Sequence, residues 1–123
     1  MMTIRSHDQF NTTIYSSNDR YRGISGNRRV ILLNDVDMRE RRIETGEALT
    51  IHSRCGDSLR SAEGWEAVPY PIPRGCAATY FPEANVLAAI DDVALRSNTP
   101  ASKSLIIRLE KSLANSQEKI LRN

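Results

Sequence analysis

A chain of 123 residues holds one domain's core and no more. With 40% hydrophobic and 26% charged residues, its composition is that of a folded globular domain, which sets disorder aside. A net charge of only +2 lacks the basic excess of a general nucleic-acid binder, and the two cysteines, Cys55 and Cys76, have no CxxC pairing and no nearby histidine to build a zinc or iron–sulfur site from this chain alone.

In chain order, Met2-Thr3-Ile4-Arg5 reads as a strand. It starts so close to the first residue that an excised domain is the natural expectation. Ser6 to Asn27 is a long polar segment, rich in Asn, Asp, Ser and Thr, that reads as loop. Phe10, Ile14, Tyr15, Tyr21 and Ile24 are its expected anchors. Val30-Ile31-Leu32-Leu33 is a short apolar run and reads as a buried strand. Asn34 is placed to cap a helix over about Asp35 to Ile43, with Asp35 and Asp37 in its first turn, arginines late, and Gly46 near its close. Arg39, Arg41 and Arg42 could hold phosphate, but a solvated helix face explains them more simply.

Glu47 to Ser53 alternates and reads as a strand, and Cys55-Gly56-Asp57 turns the chain. Leu59 to Glu63 and Trp65 to Tyr70 read as two further strands, the second ending in the proline-rich stretch Pro69 to Pro73. Cys76 to Phe81 is the next strand, with Cys76 in a packing role. A short helix or turn over Asn85 to Ala89 follows, then a loop at Ser97 to Pro100 and a last strand, Ser104 to Leu109. The tail from Glu110 reads as a frayed surface helix. Many short strands with one small helix point to a mainly β barrel or sandwich. With no apolar leader and no membrane-length apolar run, the expectation is a cytoplasmic protein holding two reduced, partly buried thiols.

Catalytic groupings are scarce. The two histidines, His7 and His52, lie in no Ser/His/Asp spacing, and no glycine-rich phosphate loop precedes a helix. His52 reads as structural. Three loops carry the polar chemistry: Arg5 to Gln9 with Asn11 and Thr12; Pro82 to Asn85; and Asn98 to Lys103. Their Arg, Lys, Ser and Thr can hold phosphate oxygens, and Asn and Gln offer both donor and acceptor to a heterocycle edge. Asx turns, helix caps and plain solvated surface are the competing explanation for each loop.

Thr3-Ile4-Arg5-Ser6-His7-Asp8-Gln9-Phe10-Asn11-Thr12-Thr13-Ile14-Tyr15 and Asp19-Arg20-Tyr21-Arg22-Gly23-Ile24 carry a resemblance. So do Ile72-Pro73-Arg74-Gly75-Cys76-Ala77-Ala78, the group Tyr80, Phe81, Pro82, Glu83 and Asn85, and Ser97-Asn98-Thr99-Pro100-Ala101-Ser102-Lys103-Ser104. Together these strings resemble the C-terminal, molybdopterin-dinucleotide-binding domain of formate-dehydrogenase-like molybdopterin oxidoreductases. The resemblance implies a six-stranded double-psi β-barrel, aspartate-decarboxylase-like, with short helices, over residues 1–110, leaving 111–123 as a tail. It implies a bis(molybdopterin guanine dinucleotide) cofactor carrying molybdenum or tungsten. Arg5, Ser6, His7, Gln9, Asn11 and Thr12 would line pterin and pyrophosphate, Asn85 would bond a pterin edge, and Ser102 and Lys103 would complete the site. Metal-ligating and catalytic residues, and any iron–sulfur cluster, would belong to upstream domains of the same parent enzyme, so this chain would not be catalytic alone. The alternative reading is an autonomous small β-barrel that binds nucleic acid through Arg20, Arg22, Arg28 and Arg29 with Tyr15 and Tyr21.

Overall fold

A computed structural model describes residues 1–89, 93, 95–97 and 103–112. The strands are β1 (Met2–Ile4), β2 (Gln9–Phe10), β3 (Thr13–Ile14), β4 (Val30–Leu33), β5 (Ala48–Cys55), β6 (Ser58–Pro69), β7 (Ala77–Tyr80) and β8 (Ile106–Lys111). Among the described residues one α-helix, α1 (Asp35–Glu40), and one 3-10 turn, Glu83–Leu87, accompany them. Six strands form one mixed sheet in the order β1-β7-β4-β6-β5-β8, and β2 and β3 form a separate hairpin. β1–β7 and β4–β6 pair in parallel, and the other neighbours are antiparallel.

The mainly β expectation holds. Among the described residues no strand ladder closes β1 onto β8. The two edges meet at one point, where the Met1 nitrogen donates to the Leu105 carbonyl (2.6 Å) and the Leu105 amide donates to the Met1 carbonyl (2.9 Å).

β4 and β7 are buried along their whole lengths, which is why each reads as an unbroken run of apolar or small residues rather than an alternation. β4 serves two cores. Ile31 and Leu33 join the main cluster with Met38, Leu49, Ile51, Trp65, Ala67 and Leu87. Val30 and Leu32 join a smaller one with Ile24, Ala78 and Tyr80. The smaller core fastens the long polar segment to the sheet.

That attachment corrects the expected anchors. Ile24 is buried, but Phe10 (70% exposed), Tyr15 (75%) and Tyr21 (71%) lie on the surface. Besides Ile24, buried polar groups hold the segment: Asp19 within it and Arg28 directly after it.

The two strands expected over Leu59–Glu63 and Trp65–Tyr70 are one. β5 pairs Leu49 with Trp65 and Ile51 with Ala62, so β6 carries one extra residue at that step. Gly64, at φ 77°, takes up the bulge. The extra residue keeps both Ala62 and Trp65 facing the core, where strict alternation would turn one outward.

Asn34 caps α1 as expected, its side chain accepting from the Val36 (2.9 Å) and Asp37 (3.3 Å) amides. The helix ends earlier than Ile43, because Arg42 turns to φ 56° and breaks the repeat well before Gly46. Arg39, Arg41 and Arg42 are exposed, and Arg39 pairs with Asp35 at 3.5 Å, as a solvated face requires.

Cys55 is buried, but Cys76 is exposed one residue before β7, so the packing role expected for it is not met. The last strand runs from Ile106 through Lys111, later than expected, so Glu110 belongs to the sheet and not to the tail. Residues 113–123 lie outside the described residues.

Candidate functional site

The loop leaving β1 and the loop leaving β7 come together because their parent strands are parallel neighbours, so their C-terminal ends point the same way. The Phe81 amide donates to the Ile4 carbonyl at 2.8 Å, extending that contact past both strands. The Arg5 guanidinium sits 5.4 Å from the centre of the Phe81 ring. Two of the three polar loops therefore share one end of the sheet.

Arg28, 8% exposed, occupies the junction. Its Nη1 donates to Ser6 Oγ (2.5 Å), and its Nη2 donates to Gln9 Oε1 (2.8 Å) and the Phe81 carbonyl (2.9 Å). Its Nε donates to Glu83 Oε1 (2.7 Å), with a second contact from Nη2 to Oε2 (3.3 Å). The guanidinium also lies 4.7 Å from the centre of the Tyr80 ring. Gln9 is equally committed. Its Oε1 also accepts from the Ser6 amide (3.1 Å), and its Nε2 donates to the Asn11 (2.7 Å) and Phe81 (2.6 Å) carbonyls.

A second polar network lies alongside. Asp19, 1% exposed, accepts at Oδ2 from Arg22 Nη1 (2.5 Å) and the Tyr80 hydroxyl (2.7 Å), while its Oδ1 has no hydrogen-bond partner among the described residues. Arg22 Nη1 also donates to the Arg5 carbonyl (3.1 Å), tying the network to the first loop. Burial works to raise the Asp19 pKa, but the hydrogen bonds from Arg22 and Tyr80 outweigh it and hold the carboxyl below its usual range. Burial and the bond to Asp19 push the Tyr80 phenol well above its ordinary value, so it stays a hydrogen-bond donor. A polar cleft of about 300 Å³ opens beside these groups, lined by Arg5, Ser6, His7, Asp19, Tyr21, Arg22 and Tyr70.

The sequence-predicted residues occupy different settings. Ser6 and Gln9 are internal braces of the site. Arg5 and His7 are exposed and line the cleft, with His7 Nε2 3.2 Å from Arg20 Nη2 and its ring edge-on to Tyr21 at 4.4 Å. Asn11 (φ 52°) and Thr12 form the exposed tip of the β2–β3 hairpin. Asn85 is exposed on the 3-10 turn, which is held down where Ser53 Oγ donates to the Leu87 carbonyl (2.5 Å). Lys103 Nζ donates to the Thr3 carbonyl, two residues before Arg5. Ser102, with Asn98 to Ala101, lies outside the described residues.

Arg28, Asp19, Tyr80 and Glu83 were not among the site residues expected. Asp19, Tyr80 and Glu83 stand in recognised strings and Arg28 lies past one, but the bonds that Arg28 makes to Ser6 and Glu83 and that Tyr80 makes to Asp19 span 22, 55 and 61 positions, and no local pattern encodes such pairings. Arginines of the alternative basic patch are already partnered: Arg22 pairs with Asp19, Arg28 with Glu83, and Arg29 lies over Trp65 and donates to the Glu63 carbonyl. His52 is cross-strand structure, with Nδ1 2.7 Å from Ser61 Oγ and Nε2 2.8 Å from Glu110 Oε2. Among the described residues, no group of three or more His, Cys, Asp or Glu side chains could hold a metal ion.

The family described as "Molydopterin dinucleotide binding domain" matches residues 1–106. The uncharacterized oxidoreductase Rv2900c of Mycobacterium tuberculosis (strain H37Rv) is 44% identical over 115 residues, covering 89% of this chain and 15% of the relative. Its counterpart Mb2924c in Mycobacterium bovis matches equally. Protein YdeP of Escherichia coli (strain K12) is 37% identical over 115 residues, covering 91% of this chain and 15% of that protein. The chain thus spans about 15% of the length of the curated relatives it matches. The family match runs from β1 into β8 and takes in both loops that Arg28 joins, so the chain belongs to the molybdopterin dinucleotide binding domain family.

Proposed function

We propose that this chain is the cofactor-binding portion of a longer, formate-dehydrogenase-like oxidoreductase, and that it helps to hold bis(molybdopterin guanine dinucleotide) carrying molybdenum or tungsten. The observation that carries the proposal is the joining of the Arg5–Thr12 and Phe81–Asn85 loops through Gln9 and Arg28, with a polar cleft bordered by the first of them at Arg5, Ser6 and His7. The finer fold expectation, a double-psi barrel, is part of the proposal. Its support is the mixed strand order and the reciprocal Met1–Leu105 bonds that bring the sheet's edges together.

The donor set suits such a ligand. Arg5 offers a guanidinium for phosphate oxygens, His7 and the phenols of Tyr21 and Tyr70 can donate or accept, and Asn85 presents an exposed amide for a heterocycle edge. A cleft of about 300 Å³ lies at the low end for small-molecule sites, so it takes one arm of a dinucleotide and leaves the rest to other parts of the enzyme. When bound, the group supplies the metal-centred redox chemistry; this chain's residues bind it, orient it and exclude water from its polar edge. Upstream domains of the parent polypeptide are the proposed partners and the bearers of any iron–sulfur cluster, and the proposed compartment is the cytoplasm.

The test is metal content. In the full-length enzyme, Asn85→Ala and Lys103→Ala should each lower molybdenum per polypeptide, measured by elemental analysis after purification. Full loading in both variants contradicts the assignment of these two loops.

A further inference from the structure

Arg28 has the burial of a core residue and the hydrogen bonding of a hub. Its contacts reach Ser6 and Gln9 on one loop and Phe81 and Glu83 on the other, and the two loops are more than seventy residues apart in sequence, as the Gln9–Phe81 separation of 72 shows. Its charge is neutralised by Glu83 and its face is covered by Tyr80, so it is not free to take a ligand anion. A planar guanidinium can satisfy these acceptors together because its donors form a fixed fork; a lysine ammonium, a point donor with three hydrogens, cannot. We propose that Arg28, with Glu83 as its counter-charge, is a positioning residue that locks the two cofactor loops in one relative geometry before ligand arrives. The assignment of a ligand to those loops rests on the reading given under Proposed function; the locking itself does not.

The physical consequence is preorganisation. Loops already fixed in the binding geometry do not lose that freedom on binding, and affinity rises by the ordering cost avoided. Ser6 and Gln9 then act through the shape they give the loop, and the exposed groups nearby, Arg5 and His7, meet the ligand.

Arg28→Lys is the diagnostic variant, because it keeps the charge opposite Glu83 and removes only the fork. The first readout, amide hydrogen exchange on the 123-residue chain, needs no ligand. The Ser6 amide, bonded to Gln9 Oε1, and the Phe81 amide, bonded to the Ile4 carbonyl, should both exchange about tenfold faster in Arg28→Lys, the equivalent of about 1.4 kcal/mol, while Leu32 and Ala67 keep their wild-type rates. A role in overall stability would speed all four together. A role in charge neutralisation alone would leave all four unchanged. Either outcome overturns the proposal.

The second readout is affinity for GDP, which carries the guanine and pyrophosphate of the dinucleotide. It should fall about tenfold in Arg28→Lys at a temperature where the variant is fully folded. Faster loop exchange with unchanged GDP affinity overturns the positioning role for ligand. If the wild-type chain itself gives no GDP response, the functional reading loses that support, and the locking role is still decided by the exchange rates. Should Arg28→Lys fail to fold, Glu83→Gln replaces it. That variant removes the counter-charge and keeps an acceptor for Nε, so it should loosen the same two amides about threefold; unchanged exchange there overturns the lock.

Discussion

Asp19 has one carboxylate oxygen bonded by both Arg22 and Tyr80, and it belongs to the buried polar groups that fasten the long segment between β1 and β4. Removing one partner from such a group costs its desolvation, which is larger than the net worth of the bond. Tyr80→Phe should therefore destabilise the fold by about 1–3 kcal/mol in urea unfolding, although it deletes a single oxygen. The carboxyl also makes stability depend on pH. Its folded pKa lies below the ordinary aspartate value of 3.8, so its contribution is fully present above that pH and is lost as pH falls through the folded value. Asp19→Asn should lower stability near neutrality and flatten the acid limb of the stability curve. An unchanged slope below pH 3.8 would remove Asp19 from the account. Much of the site's composition is legible at this scale: Arg5, Ser6, His7 and Gln9 stand out as polar residues directly after a strand. The division of labour among them is not legible. Ser6 and Gln9 look like ligand donors in sequence and also brace the site, because Arg28, which bonds both, stands 22 and 19 positions further along the chain.

Elements whose determinants are local read well. The Val30–Leu33 run, the Asn34 cap and the acidic first turn mark β4 and α1 without reference to anything distant. Asn34→Ala should cost about 1 kcal/mol by loss of the cap, and more if the Asn34 Nδ2 bond to the Ile72 carbonyl (2.7 Å) also matters. The break between Leu59–Glu63 and Trp65–Tyr70 reads as a strand boundary because glycine interrupts the alternation; the pairing with β5 instead makes it a bulge. Among the described residues nothing lies within 4 Å of where a Gly64 Cβ would stand, so a substitution there tests backbone conformation alone. Gly64→Val should cost about 1–3 kcal/mol, and Gly64→Asn clearly less, since asparagine tolerates the left-handed region. Equal costs would show that the bulge is not held by φ. The hairpin β2–β3 goes unread for a different reason: each strand has two residues, too few for periodicity to register.

At the scale of the molecule, the match covers a small fraction of the relatives' length, and Phe10 and Tyr15, with Tyr21 at the cleft, are largely exposed. If this chain is one portion of a longer oxidoreductase, those aromatic rings are candidates for contact with it, and radical footprinting of Phe10 and Tyr15 should fall severalfold in the full-length protein relative to the 123-residue chain. Mainly β architecture is legible from strand spacing and turn residues. Strand order is not, because the parallel pairs β1–β7 and β4–β6 join residues tens of positions apart and leave no local trace. The central claim is that the Arg5–Thr12 and Pro82–Asn85 loops form one ligand site. Titrating isotope-labelled chain with GDP and following backbone amide shifts tests it most directly. The account predicts shifts in both loops with a shared saturation curve, and little change in β5 or β6 away from the cleft. Saturable shifts confined to another face, such as the exposed surface of α1, would contradict it.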